Sequence, residues 1–241
     1  MDVKISGAGV LGGGEYEEVR VSGSARFEGS IRCRSFACSG AAKGACDLYC
    51  QEDFRSAGSI RVEGMIHAGS VNVSGSLHCG GLAGEQEIRL SGGAVVEGKL
   101  SGGEIRVSGS LKAGAGIEAE HFRCSGRLDC QGLLNAETVE IGLGEETNRV
   151  TAIGGGTVRV TMRPEGRFFE GLGFPWGKAS GCCLTVEESI EADDVELVNT
   201  VCPLVTGRRV VVGKGCRIDT VRYGESIEID PAAQVGKQER I

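Results

Sequence analysis

The sequence predicts an all-β fold, a single-stranded parallel β-helix with about 17 residues per three-strand coil. Three observations carry this: the glycine content, a long internal repeat and an apolar spacing inside each repeat that fits strands. Glycine is 41 of 241 residues, about 17%, while proline is only 4, which excludes collagen and a Pro/Gly-rich disordered chain. Aromatic residues are 5%, so the core has to be built from small and aliphatic side chains.

The repeat shows as Ser-Gly in a fixed setting. Val19-Arg-Val-Ser-Gly23, Val71-Asn-Val-Ser-Gly75, Ile88-Arg-Leu-Ser-Gly92, Ile105-Arg-Val-Ser-Gly109 and Phe122-Arg-Cys-Ser-Gly126 are close copies. The glycines Gly7, Gly23, Gly40, Gly58, Gly75, Gly92, Gly109 and Gly126 follow one another in steps of 16, 17, 18, 17, 17, 17 and 17. A fixed period of this kind marks a solenoid. From Ile105 the apolar positions run Ile105, Leu111, Ile117, Phe122, Leu128, Leu134 and Val139, in steps of 6, 6 and 5. The residue two further on is again small or apolar, which gives one buried face of a short strand. Three strands and three corners per period make a triangular coil. Corner glycines such as Gly23 and Gly29 are expected at φ > 0. A helix is excluded by the spacing of two and by the cost of so many glycines, about 1 kcal/mol each. A hairpin meander would not give a constant column of identical residues.

Later first-face strands follow at Val139, Val158, Val195, Val210 and Ile227, in steps of 19, 37, 15 and 17. The domain reading is regular coils over 1–160, an inserted aromatic, glycine- and proline-containing loop over 161–184, further coils over 185–235 and a short charged tail over 236–241. About thirteen rungs at ~4.8 Å give a rod of roughly 60 Å.

The chemistry-bearing residues are read as structural. Cys33, Cys38, Cys50, Cys79, Cys124 and Cys130 all fall on inward positions, where cysteine acts as a small hydrophobe. Cys182 and Cys183 lie at the end of the insertion without a sequence partner. His67, His78 and His121 fall on separate outward or corner positions and assemble no catalytic or metal-binding set, so no catalytic residue, cofactor or metal is expected. An outward column, Lys4, Arg20, Ala37, Arg55, Asn72, Arg89, Arg106 and Arg123, has Glu18, Asp53, Glu87 and Glu104 beside it. It reads as a solvated charge ladder rather than a ligand stripe, because exposed pairs contribute little and the core specifies the fold. A net charge of −7 argues against nucleic acid or anionic lipid as the main partner. No signal peptide or spanning apolar stretch is seen, so a cytoplasmic protein is expected.

Several stretches together resemble the bactofilins, bacterial polymer-forming cytoskeletal proteins, and in particular a longer, tail-less branch of them. They are Val71-Asn-Val-Ser-Gly-Ser-Leu77, Ile105-Arg-Val-Ser-Gly-Ser-Leu-Lys-Ala113, Phe122 through Ala136, Ile153-Gly-Gly155, Ile190-Glu-Ala-Asp-Asp-Val-Glu-Leu197, Val210 through Ile218 and Val221-Arg-Tyr223. The resemblance implies a right-handed β-helix that assembles end to end without nucleotide and scaffolds cell shape, envelope organisation or motility. It implies as partners other copies of the chain and membrane, envelope or motility proteins, at the inner face of the membrane. Typical members have about half as many coils, disordered tails and an N-terminal membrane-targeting segment, whereas this chain enters a strand by Val3.

The candidate end-to-end contacts are Val3 and Ile5 at one end and Ile227 and Ile229 at the other. Unpaired rung edges recruit strands, and Pro231 with nearby charges protects the second end better. Phe168, Phe169, Leu172, Phe174 and Trp176 belong to a loop expected either to fold back over a side or an end of the rod or to serve as a candidate membrane- or partner-binding loop, since exposed aromatic clusters mark such sites. The competing function class is a β-helix enzyme of the hexapeptide-repeat transferase type, which would need convergent acid, base or metal ligands. A surface adhesin is disfavoured by the missing export signal.

Overall fold

The computed structural model describes residues 1–163 and 183–241. Strands make up 77% of the chain, no helix is present among the described residues, and the parallel strands stack at about 17-residue spacing into a β-solenoid of about 13 turns. The first face begins with Val3–Ile5 lying over Val19–Val21. It continues through Phe36, Phe54, Val71, Ile88, Ile105 and Phe122 to Val139. The later steps also hold: Val139 pairs with Val158, Val158 with Val195, Val195 with Val210 and Val210 with Ile227. The second face carries Ala25–Phe27 and its copies, and the third carries Ile31–Cys33 and its copies.

Alternation along each strand puts one apolar column into the core and one polar column into solvent. Val21, Phe27, Cys79, Val107 and Leu128 are all buried, and Arg106 beside Val107 is exposed. Phe36 and Phe54 stack in the core with ring centroids 5.2 Å apart, and Phe27 meets Phe36 edge-on at 6.0 Å. Away from this cluster the core is mostly aliphatic or cysteine, with Phe122 as a further buried aromatic and Asn148 and Thr200 as buried polar residues. Ser56 occupies the inward column between Cys38 and Val73, and its hydroxyl has no hydrogen-bond partner among the described residues.

The corner glycines correct one expectation. Gly23 and Gly29 are not among the residues with positive φ. What each column position lacks is room for a Cβ. At Gly23 that atom would lie 2.7 Å from the Ser6 oxygen and closer still to the Gly7 oxygen, and at Gly29 it would lie 2.9 Å from Gly13 Cα. Ser-Gly recurs because successive corners stack backbone against backbone. Positive φ belongs to other glycines, such as Gly116 at 91° and Gly132 at 106°.

The expected tail over 236–241 is also corrected. Gln234–Arg240 forms a strand on the preceding coil, with Ile218 opposite Val235 and Tyr223 opposite Arg240. A turn at Asp230 feeds it, where the Asp230 carboxylate accepts the Ala232 N–H at 2.8 Å. Half-buried Val235 and the Arg222–Glu239 ion pair at 2.8 Å hold the segment in register despite its charged composition. The regular coils run to Met162 and resume at Leu184.

Candidate functional site

The rung ends come first. Val3 and Ile5 occupy the inward positions of the first rung of the first face, half-buried and packed on the core. Ile227 and Ile229 occupy the same column on its last rung, also half-buried. Tyr16 closes part of the first coil, its hydroxyl donating to the Gly12 carbonyl at 2.9 Å. At the opposite end the positions continuing the Val221 and Tyr223 columns are Gln238 and Arg240, both exposed. One end therefore presents aliphatic side chains, while the other mixes Ile227 and Ile229 with polar residues.

The first-face column is a charge ladder. Arg20 meets Glu18 at 2.7 Å, Arg55 meets Asp53 at 3.0 Å, Arg89 meets Glu87 at 2.6 Å and Arg106 meets Glu104 at 2.6 Å. Further along, the partner moves to the neighbouring rung, with Arg123 to Glu140 at 2.6 Å and Arg159 to Glu196 at 2.9 Å. These guanidiniums are already neutralised, which leaves the column little to offer an anionic ligand.

The three histidines lie on separate surfaces. His78 is on the second face, with Nε2 3.3 Å from Glu97, and exposed His121 is at the corner before Phe122. His67 is on the third face, in a feature that the residue pattern alone does not single out. Arg32 lies 5.1 Å from the centroid of the Tyr49 ring, and Tyr49 stacks on His67 at 5.0 Å with a 2° interplanar angle. The three are successive residues of one outward column. Their recurrence at the repeat period is the signal that could have found them. They line a groove of about 860 Å³ along the corner between the third and first faces, together with Arg34, Gln51 and Glu85. Cys33 and Cys50 also line it, but both are buried and their thiols face each other at 3.5 Å, with no hydrogen bond to His67 among the described residues.

The inward cysteines are buried, as expected. Desolvation pushes the Cys79 and Cys130 thiols up to about 12 and the Cys124 thiol up to about 11, so these are inert protonated side chains at neutral pH. Cys33 and Cys50 sit on adjacent rungs with sulfurs 3.5 Å apart. Their hydrogen bond lowers Cys33 and raises Cys50, which desolvation raises further. Cys183 is half-buried, while Cys182 lies outside the described residues. So do Phe168, Phe169, Leu172, Phe174 and Trp176. Among the described residues, no group of three or more His, Cys, Asp or Glu side chains is placed to hold a metal ion, and no helix is long and apolar enough to cross a membrane.

Two curated proteins of Bacillus subtilis (strain 168) are similar to part of the chain. The uncharacterized protein YhbF is 32% identical over 109 residues, covering 45% of this chain and 42% of YhbF. The uncharacterized protein YhbE is 35% identical over 103 residues, covering 43% of this chain and 40% of YhbE. The chain thus spans about two fifths of the length of the curated relatives it matches. No family model matches the chain, and no solved structure matches it.

Proposed function

We propose that this chain is a structural scaffold that assembles end to end, in a polymer-forming role of the bactofilin kind, and that it is not an enzyme. The observation that carries the proposal is the first rung. Val3–Ile5 pairs on one side only, with Val19–Val21, and its two aliphatic side chains are half-buried. Its other edge offers backbone donors and acceptors together with apolar surface, the combination that recruits a further strand. Ile227 and Ile229 offer a complementary edge in the same column. The scattered histidines and ion-paired arginines favour this reading over a hexapeptide-repeat transferase, whose chemistry needs convergent groups.

On this reading the principal partner is another copy of the chain. Membrane, envelope or motility proteins would be the clients of the polymer, at the inner face of the membrane. The aromatic loop with Phe168, Phe169, Leu172, Phe174 and Trp176 would supply the client or membrane contact. Liposome flotation of wild type against a 166–178 deletion tests that part, and equal flotation, or none by either, rejects a membrane contact.

The assembly itself is tested by replacing Val3 and Ile5 together with lysine and measuring length by light scattering and electron microscopy without nucleotide. Wild type should form particles longer than one rod, and the variant single rods. A wild type that stays a single rod at high concentration, or a variant that assembles as before, rejects the end contact.

A further inference from the structure

The second face carries a charge pattern unlike that of the first. Its outward column runs Arg26, Lys43, Arg61, His78 on four consecutive rungs, and Lys112 continues it two rungs on. Among the described residues Arg26, Lys43, Arg61 and Lys112 make no ion pair within 4.0 Å. Arg61 reaches only the ring of His78, at 3.4 Å. All four are exposed. Glu28 and Glu63 lie on the adjoining corner without closing on them. On the first face, by contrast, most arginines of the column have a carboxylate within 3.0 Å.

An uncompensated cationic row has to be matched to a partner. A lipid surface or a soluble polyphosphate would bring further negative charge to a molecule whose net charge is −7. The chain itself offers a better match. At the corner between the third and first faces, Glu85, Glu120 and Glu137 are exposed and make no ion pair among the described residues. Glu120 and Glu137 are on neighbouring rungs, and Glu85 is two rungs before Glu120. Cationic row and acidic edge are columns of the same solenoid, so both advance by one rung, ~4.8 Å, per step. In parallel register Arg26 and Arg61 of one rod, two rungs apart, can meet Glu85 and Glu120 of a second rod lying alongside, and Glu137 then falls opposite His78.

We infer that the second-face row of Arg26, Lys43, Arg61 and Lys112 docks on the Glu85–Glu120–Glu137 edge of a second copy, joining rods side by side. This deepens the scaffold reading by adding a lateral contact to the end contact, and it uses none of the residues at the rod ends. Because the row and the edge are different surfaces, each rod can be donor to one neighbour and acceptor to another.

The experiment uses the whole chain, the variant R26E/K43E/R61E and the variant E85K/E120K/E137K. All six positions are exposed, and retention of the wild-type circular dichroism spectrum is checked first. Assembly width is read by electron microscopy and sedimentation at about 0.1 M and about 1 M salt, between which the screening length falls from about 10 to about 3 Å. Wild type should be two or more rods wide at low salt and one rod wide at high salt. Each reversed variant alone should stay one rod wide, and mixing the two should restore the width. Wild type one rod wide at low salt, width insensitive to salt, or no restoration on mixing overturns the inference. So does wild type that stays one rod wide while binding phosphatidylglycerol vesicles or polyphosphate through Arg26, Lys43 and Arg61. The Val3→Lys/Ile5→Lys variant separates the two contacts, because loss of the end contact alone gives assemblies that are short but still more than one rod wide.

Discussion

Replacing Gly109 with alanine sets two physical effects against each other. Gly109 does not have positive φ, and at such a position Gly→Ala ordinarily stabilises by about 0.4–1 kcal/mol through the unfolded chain. The corner stack opposes this. The new Cβ would lie 2.5 Å from the Ser91 oxygen and closer still to the Gly92 oxygen, both of them backbone atoms that cannot rotate away. The rungs must part at this corner. The bonds at risk are Ser108 N–H to Leu90 O at 2.9 Å, Gly109 N–H to Leu90 O at 3.2 Å and Ser110 N–H to Gly92 O at 2.9 Å. Two lost bonds at about 1 kcal/mol each, with a carbonyl left poorly satisfied, give a net loss of roughly 2–4 kcal/mol. For a chain of this size that lowers the melting temperature by roughly 5–15 °C. Gly93 is the control: a Cβ there meets nothing within 4 Å and its φ is not positive, so Gly93→Ala should be neutral or slightly stabilising. Thermal and urea unfolding of the two variants decide the matter. A Gly109→Ala protein that melts at or above wild type would refute the steric account of the Ser-Gly column.

Other outcomes follow from the same geometry. Val107→Asp places a carboxylate in a 2%-exposed position between Leu90 and Cys124 and should cost about 3–5 kcal/mol, read as a lower urea midpoint. Arg106→Ala removes an exposed ladder member and should leave the unfolding midpoint unmoved. The raised thiols make stability pH-dependent. Folded Cys79 and Cys130 hold their protons up to about 12, whereas unfolded thiols release them near 9. Their contribution is complete below pH 9 and is lost as pH rises from about 9 towards 12. Unfolding midpoints should fall over that range, with a shallower fall in Cys79→Ala; equal slopes would count against burial as the cause.

The register of the solenoid is legible in the sequence because columns of like residues repeat, and even the irregular steps from Val139 to Ile227 can be counted from valine and isoleucine pairs alone. The inward cysteines are legible for the same reason, since each shares a column with aliphatic residues. The glycine requirement is not, because a corner glycine looks the same in sequence whether it serves dihedral freedom or close approach; only the position of the next rung distinguishes them. Gln234–Arg240 resembles a tail because a terminal rung needs little apolar content when only one side of it faces the core. The cations from Arg26 to Lys112 stand three residues after the repeat glycines and are open to the same count, whereas the Arg32–Tyr49–His67 stack is hidden because it lies on the third face, away from the Ser-Gly marker that aligns the repeats by eye. Counting one repeat period at a time onward from Arg26 or Arg32 exposes both.

The hydrogen bonds between rungs, such as Ser110 N–H to Gly92 O at 2.9 Å, run along the rod rather than across it. Tension applied to the two termini therefore pulls a coil straight off the next one instead of shearing many bonds at once. The chain should yield as a spool, one coil per event, each releasing about 17 residues or roughly 55 Å of extended chain. The interval between Val158 and Val195, which pair directly despite the intervening insertion, would appear as one step about twice as long. A force–extension trace would carry a single long tooth among short ones, marking how far the unwinding had travelled.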